Sequence, residues 1–258
     1  VCLFKAIRVA ILLLVLIVVA GSQWLGAARL ADWDRPIWIT VYPLPADANP
    51  QTRRYIDALQ ASDFEGIDAF FSREARRYGI DLSRAAHFQL APVPGTMPPA
   101  LPRTDNRLAI GWWSLRMRWW AWRQAHKDGL VDPDIQVFMR YQTGEGMPGL
   151  DRSVGLQKGR YTLVNAYAER RKAPRNRLVV AHELLHVLGA TDKYDPASGQ
   201  PLAPEGLADP AARPLYPQRR AEIMAGAVAL GPRDARMPNS LRGCVVGEVT
   251  AREIGWVE

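Results

Sequence analysis

The sequence is poor in cysteine, with only Cys2 and Cys244 among 258 residues. Cys2 precedes an apolar segment, whereas Cys244 lies near the other end of the sequence. We therefore predict that the two lie on opposite sides of a membrane and do not pair. Two such cysteines cannot build the disulfide framework that stabilises many small secreted domains.

The sequence also lacks a long basic block, although its formal net charge is +7. Its densest basic stretch is Arg170-Arg171-Lys172, followed by Arg175 and Arg177. This stretch is typical of a solvated loop; a patch for anionic lipid heads or acidic substrates is the alternative. We find no nucleic-acid-binding motif, so we expect no nucleic-acid partner. A hydrophobic content of 48% and nine tryptophans exclude a disordered chain.

An apolar N-terminal segment is the first positive feature. Lys5 and Arg8 precede an unbroken apolar run from Val9 to Gly21. Together with the apolar residues after it, the run can reach the roughly twenty residues that a membrane-spanning helix needs. The same pattern of a positive start, an apolar centre and small residues fits a cleaved signal peptide.

We predict an uncleaved signal-anchor over residues 1–28, with secretion after signal cleavage as the alternative. Residues 29–36 would form a juxtamembrane linker. The positive flank stays inside, so residues 37–258 are expected outside the cytoplasm, in the cell envelope. The membrane is therefore an expected partner.

The remaining chain mixes strand and helix signals, which predicts an α+β fold. Apolar runs indicate buried strands at 37–42, 135–141 and 161–167, with glycines around a short edge strand between the last two. Caps and helical spacing indicate helices that follow Asn49-Pro50, span 62–79, 106–126 and about 176–188, and begin at Thr250. Thr250 and Glu253 form a predicted capping box in the last of these.

The helix over 106–126 carries two apolar stripes. One consists of Ile110, Trp113, Met117 and Trp120, and the other of Trp112, Leu115, Trp119 and Trp122. We interpret it as a core helix with two contact faces, which would back a sheet. An aromatic stripe that binds a ligand or lies on a membrane surface is the alternative.

The candidate metal-binding motif is His182-Glu183-Leu184-Leu185-His186. Positions i and i+4 of a helix share one face, so the two imidazoles can bind the same ion. Zinc accepts imidazole nitrogens, and Glu183 beside that face can take a proton from a metal-bound water. This pattern on a helix is the signature of zinc metalloproteases.

A catalytic zinc site usually has three protein ligands, and two histidines leave one to be found. Gly189 can adopt the positive φ that ends the helix, and Asp192 can then return to the metal. Asp195, Glu205 and Glu222 are the competing third ligands.

The string from His182 to Asp192 resembles the zinc signature of the metzincins. In that family a glycine turns the chain towards a third ligand, which is usually His but is Asp in a minority such as the snapalysins. The resemblance implies a mixed twisted sheet with a backing helix and an active-site helix, and a smaller C-terminal lobe that ends in a helix. It divides the domain into an upper lobe, 37–189, and a lower lobe, 190–258.

The resemblance extends to a methionine turn. Met224 follows the zinc signature and would lie beneath the metal. Some metzincins carry a tyrosine two residues after this methionine, where this sequence has Gly226. Tyr194 and Tyr216 are therefore the candidates for stabilising the transition state.

The sequence thus predicts an extracytoplasmic zinc endopeptidase with one Zn²⁺ per chain. Peptide or protein would be its substrate, and Glu183 its general base. Two alternatives stay open. One is a zincin of another clan, with Glu205 or Glu222 as the third ligand. The other is a non-catalytic, metal-stabilised envelope binding protein, which would not need Glu183.

Overall fold

A computed structural model of the chain describes residues 32–100, 102, 106–126, 129–144, 154–156 and 160–257, together with 7, 8, 13 and 29. Apart from those isolated positions, the predicted membrane segment at 1–28 lies outside the described residues. Among the residues that are described, no helix is long and apolar enough to cross a membrane.

A five-stranded sheet forms the centre of the fold. Its strands, in chain order, are β1 (Ile37–Pro45), β2 (Ala86–Leu90), β3 (Ile135–Gln142), β4 (Val154–Leu156) and β5 (Tyr161–Tyr167). Their spatial order is β2-β1-β3-β5-β4, and every pairing is parallel except that of β4 with β5. The three predicted strands and the short edge strand are confirmed, whereas β2 was missed. The chain therefore has a mixed α/β architecture.

Helices cover both faces of the sheet. They are α1 (Pro50–Asp57), α2 (Glu65–Arg77), α3 (Arg107–Ala125), α4 (Ala173–Leu188) and the short C-terminal α5 (Glu248–Glu253). Alternate residues of a strand point to opposite faces. In β1, Ile39 and Val41 join the core beneath α2 and α4, whereas Tyr42 and Leu44 join a second cluster beneath α3. The helix that carries the histidines thus lies on the sheet face opposite to α3.

The interpretation of α3 as a helix with two contact faces is wrong for the described structure. Met117, Trp120 and Ala121 pack on the sheet, but the stripe with Trp112 and Trp119 is exposed. The physical reason is its position in an outer layer, where a helix has one neighbouring layer to pack against.

Helix α4 begins three residues earlier than predicted, at Ala173, with Pro174 in its first turn. Asn176, the predicted start, is instead a buried residue whose side chain binds the backbone of β5. Its side-chain amide accepts a hydrogen bond from the Tyr167 N–H at 3.0 Å and donates one to the Tyr167 carbonyl at 2.9 Å. The site helix is thereby fixed to the end of β5.

The capping box predicted at Thr250 and Glu253 is also wrong. Helix α5 begins at Glu248, behind Gly247. The Thr250 hydroxyl donates to Glu222 at 2.8 Å, and the Glu253 carboxylate points towards the turn that follows α4. Both side chains therefore make long-range contacts.

Residues 190–257 are mostly irregular but share the main core. They contain two small sheets, in which β6 (Ala221–Glu222) pairs with β9 (Cys244–Val245) and β7 (Val228–Gly231) with β8 (Asp234–Arg236). Met224, Ile254 and Trp256 belong to the same buried cluster as α4. Trp33 packs edge-on against Trp256 and donates its indole N–H to the Ile254 carbonyl at 2.8 Å.

Candidate metal centre

His182, His186 and Asp192 converge on one point. The imidazole Nε2 atoms of His182 and His186 lie 3.1 Å apart, and Oδ1 of Asp192 is 3.2 Å from the first and 3.1 Å from the second. Among the described residues no other group of three His, Cys, Asp or Glu side chains meets so closely. Asp192 is thus the acidic residue that the structure brings to the histidines.

Gly189 makes this convergence possible. It ends α4 in the left-handed region, at φ 119° and ψ −5°. A residue with a Cβ atom is strained in that conformation, whereas glycine is not. The chain therefore leaves the helix axis directly after Leu188. Asp192 then returns to the helix face that carries both imidazoles.

The orientation of both rings leaves their Nε2 lone pairs directed at each other. Nδ1 of His182 bonds the Ile223 carbonyl at 3.0 Å, and Nδ1 of His186 bonds the Ala190 carbonyl at 2.8 Å. A carbonyl oxygen can only accept, so each neutral ring carries its proton on Nδ1. Such backbone bonds orient metal-binding imidazoles in known sites.

Three potential electron-pair donors at this spacing can share one cation between them. Two ligand atoms of a tetrahedral zinc ion, each at 2.0–2.1 Å, lie about 3.3 Å apart. The three observed separations of 3.1–3.2 Å are close to that value. The donor set of two imidazoles and one carboxylate therefore fits zinc.

The electrostatics of the site also favour positive charge. Burial lowers the pKa of His186, but the hydrogen bonds that the protonated ring donates to Asp192 and Ala190 outweigh burial, so the pKa is raised. Burial raises the pKa of Asp192, but the hydrogen bonds that the imidazoles donate when protonated lower it by more, and the net shift is downward. The surroundings of Asp192 therefore favour its ionised form.

The cluster formed by His182, His186 and Asp192 opens to solvent on one side. The Asp192 side chain is 39% exposed, whereas those of His182 and His186 are 14% and 21% exposed. Catalytic zinc sites keep a position open for water or substrate, whereas structural sites are closed by a fourth protein ligand. The accessibility of Asp192 is typical of the open kind.

Glu183 lies beside the cluster. It is buried at 6% exposure, and its negative charge is among the influences that raise the pKa of His186. A carboxylate in this position can accept a proton from a water molecule held by the cluster.

The Met224 turn, a single 3₁₀ turn over Ile223–Ala225, lies against α4. Met224 is fully buried, and its neighbour Ile223 supplies the carbonyl that orients His182. Gly226 follows in the left-handed region at φ 70°. A tyrosine would be strained there, which accounts for glycine at this position.

Glu222 has a different role from the one considered for it as a ligand. One of its oxygens accepts from the Ala225 N–H at 3.0 Å, and the other from the Gly247 N–H at 3.1 Å and the Thr250 hydroxyl at 2.8 Å. This fully buried carboxylate therefore connects the Met224 turn to α5.

The remaining candidates for a third ligand or for a transition-state stabiliser lie nearby along the chain. Asp195 accepts from the Ala197 N–H and the Ser198 hydroxyl, and Glu205 is exposed. Tyr194 and Tyr216 are half-buried, and Tyr194 forms a β-bridge with Pro201. Their predicted role in stabilising the transition state stays a prediction.

Sequence reasoning missed the residues that hold Asp192 in place. Lys193 is buried, and its ammonium group donates to both carboxylate oxygens of Glu253 at 2.8 Å. The Thr191 N–H and hydroxyl bond the same carboxylate at 3.0 and 2.7 Å. The Lys193 N–H also bonds the Met224 carbonyl at 2.9 Å. Asp192 is thus flanked on both sides by anchored residues.

No protein-family model matches the chain, and no curated protein matches it. The chemistry of the centre therefore has to be inferred from its own residues.

Proposed function

We propose that the protein is a zinc-dependent metallohydrolase, and specifically an endopeptidase. The observation that carries this proposal is the convergence of three electron-pair donors, from His182, His186 and Asp192, at 3.1–3.2 Å from one another. One Zn²⁺ per chain would be held by these three side chains, which leave a side open to solvent.

The proposed reaction divides its roles between the metal and Glu183. Held by His182, His186 and Asp192, a zinc ion would supply a water with a pKa lowered to about 7 and would polarise a carbonyl group. Glu183 accepts the proton from the attacking water and passes it to the leaving amine. The hydrogen bonds that the two imidazoles donate to the Ile223 and Ala190 carbonyls keep both rings oriented.

The sheet offers a place for an extended peptide. Strand β4 is one of the two edge strands of the sheet, it runs antiparallel to β5, and α4 lies next to it. Its outer backbone groups can pair with a substrate strand, a mode in which main-chain hydrogen bonds supply the affinity. This arrangement supports peptide or protein as the substrate.

We propose further that the chain is related to the metzincins. The eleven residues from His182 to Asp192, the left-handed Gly189 and the buried Met224 turn support this assignment. A zincin of another clan with Glu222 as a ligand has less support, because that carboxylate bonds Gly247 and Thr250 instead. The proposed location, in the cell envelope outside the cytoplasm, rests on the sequence of residues 1–28.

The test is a cleavage profile of a complex peptide mixture by the full chain, measured together with its zinc content. Glu183→Ala should retain about one zinc per chain and lose hydrolysis, by roughly 10²-fold or more, because Glu183 transfers a proton rather than binding the ion. The matched control is Glu205→Ala, which alters an exposed acid and should keep both properties. Full turnover in Glu183→Ala would rule out the proposed mechanism.

A further inference from the structure

One face of α3 is a continuous apolar stripe. Leu108, Trp112, Leu115, Trp119 and Trp122 follow each other at alternating spacings of four and three residues. At 100° per residue these five side chains fall within about 80° of the helix circumference. We call these five residues the α3 stripe.

The α3 stripe faces solvent in the described structure. Its residues are exposed by 83%, 65%, 61%, 58% and 57% in the order just given. The opposite side of the helix, with Met117 and Trp120, is buried on the sheet. A contiguous exposed surface of this kind marks a site of interaction with a protein or a membrane.

Arginines border the α3 stripe on both sides. Arg116 and Arg123 lie along one margin, and Arg107 and Arg118 along the other, at about 60–100° from its centre line. The guanidinium of Arg123 lies over the Trp119 ring at 4.8 Å from its centroid. The helix from Arg107 to Ala125 contains no acidic residue. Its exposed side is therefore apolar along the middle and positive at both edges.

We propose that α3 lies flat on an anionic lipid bilayer, with the α3 stripe among the headgroups and upper acyl chains. Tryptophan is enriched at membrane interfaces, and amphipathic helices with basic edges bind anionic lipids by this geometry. Each arginine near the surface adds attraction to the negative lipid heads. The proposal does not depend on the metal or on catalysis.

Charge disfavours two other ways of covering the α3 stripe, by a second copy of the chain or by the apolar segment near its N-terminus. In a symmetric dimer the same patch meets itself, so the arginine margins of two copies would face each other. The apolar segment of the chain at 9–21 is preceded by Lys5 and Arg8, and the first acidic residue of the chain is Asp32. Neither occupant supplies the negative charge that the arginines would need.

This orientation has a consequence for the metal centre. Helix α4, which carries His182 and His186, lies on the sheet face opposite to α3. Docking of α3 therefore places the sheet face that carries α4 away from the bilayer. The cluster would then be accessible from the aqueous side.

The test uses a fluorescent probe at Leu115 in the full chain. Cys2→Ser leaves Cys244, which is buried, and Leu115→Cys is labelled with an NBD group. The matched control is Arg53→Cys, an exposed position of α1 on the other sheet face. Both proteins are mixed with vesicles of phosphatidylcholine alone, or with about 30% phosphatidylglycerol added, in which a few lipids carry a nitroxide quencher.

On the anionic vesicles the probe at 115 should shift to the blue and be quenched by the nitroxide lipid, whereas the probe at 53 should do neither. Because both labelled proteins carry the same N-terminal segment, insertion of that segment cannot account for a difference between them. Arg116→Gln combined with Arg123→Gln should lower the equilibrium constant for lipid contact by roughly 30-fold. A second labelled position, Trp119→Cys, should respond like Leu115→Cys.

Three results would overturn the proposal. The first is a probe at 115 that is unaffected by anionic vesicles. The second is a blue shift without lipid that grows with protein concentration, which would assign the α3 stripe to a second copy. The third is a blue shift without lipid that is independent of concentration, which would assign it to another segment of the chain.

Discussion

The ammonium group of Lys193 lies 2.8 Å from both carboxylate oxygens of Glu253, although 60 residues separate the two in sequence. The lysine side chain is 3% exposed and that of the glutamate 25% exposed. This ion pair fixes the residue next to Asp192 to the last helix. The C-terminal helix α5 therefore helps to set the position of Asp192, the third donor of the proposed metal centre.

We expect Glu253→Gln to weaken zinc binding by 10–100-fold, the range typical of residues that orient metal ligands. It should also lower the free energy of unfolding, because a buried lysine without its partner costs about 3–5 kcal/mol. Zinc affinity is measured by competition with a chelator, and stability by denaturant unfolding of the metal-free protein.

The matched control is Glu248→Gln, which breaks the exposed Glu248–Arg252 pair of the same helix. An exposed pair is worth at most about 1 kcal/mol, so neither property should change much. If Glu253→Gln loses stability but binds zinc as tightly as the unaltered protein, the pair does not position Asp192.

The same ion pair predicts a pH dependence of stability. Burial raises the pKa of Glu253, but the hydrogen bonds from Lys193 and Thr191 lower it by a larger amount. The pKa therefore lies below its ordinary value of 4.5. A lowered pKa in the folded state stabilises the protein above the ordinary pKa, and this stabilisation is lost as the pH falls through the folded-state pKa.

The measurement is the free energy of unfolding of the metal-free protein and of Glu253→Gln across the acidic range. Their difference should be constant above the ordinary pKa of a glutamate and should shrink as the pH falls below it. A difference that stays constant throughout that range would show that the ionised Glu253 carboxylate does not contribute this stabilisation.

Gly189→Ala should disturb the metal centre through the backbone. The φ of 119° at this residue is unfavourable for alanine, with a cost of about 1–2 kcal/mol. We expect lower stability and weaker zinc binding, because relief of the strain moves Asp192. The control is Gly111→Ala within α3, where an added Cβ meets nothing within 4 Å. That substitution should stabilise the protein by about 0.5–1 kcal/mol.

Denaturant unfolding and chelator competition measure both glycine variants. Unchanged zinc affinity in Gly189→Ala would mean that the turn after α4 adapts without moving Asp192.

The convergence of His182, His186 and Asp192 was predictable because the three residues are local in sequence. His182 and His186 share a helix face by periodicity alone, and a glycine three residues later indicates where that helix ends. Asp192 then lies within reach. The parallel core strands were predictable as well, since strands buried on both faces appear as short apolar runs.

Other features carried no such signal. The Lys193–Glu253 pair joins residues far apart in sequence, and neither has a pattern that indicates a partner. Strand β2, with the sequence AHFQL, has neither a continuous apolar run nor a clear alternation. Both sides of α3 are apolar, so periodicity could not tell which one the sheet would cover.

Zinc affinity of the metal-free protein, compared with that of Asp192→Ala, tests the central claim most directly. Asp195→Ala is the matched control, because it removes a neighbouring acid that bonds only its own turn, at Ala197 and Ser198. We predict that the unaltered protein and Asp195→Ala bind one zinc with similar affinity, and that Asp192→Ala binds it about 100-fold more weakly or worse, because a direct ligand is lost. Zinc binding by folded Asp192→Ala with unchanged affinity would contradict the proposed metal centre.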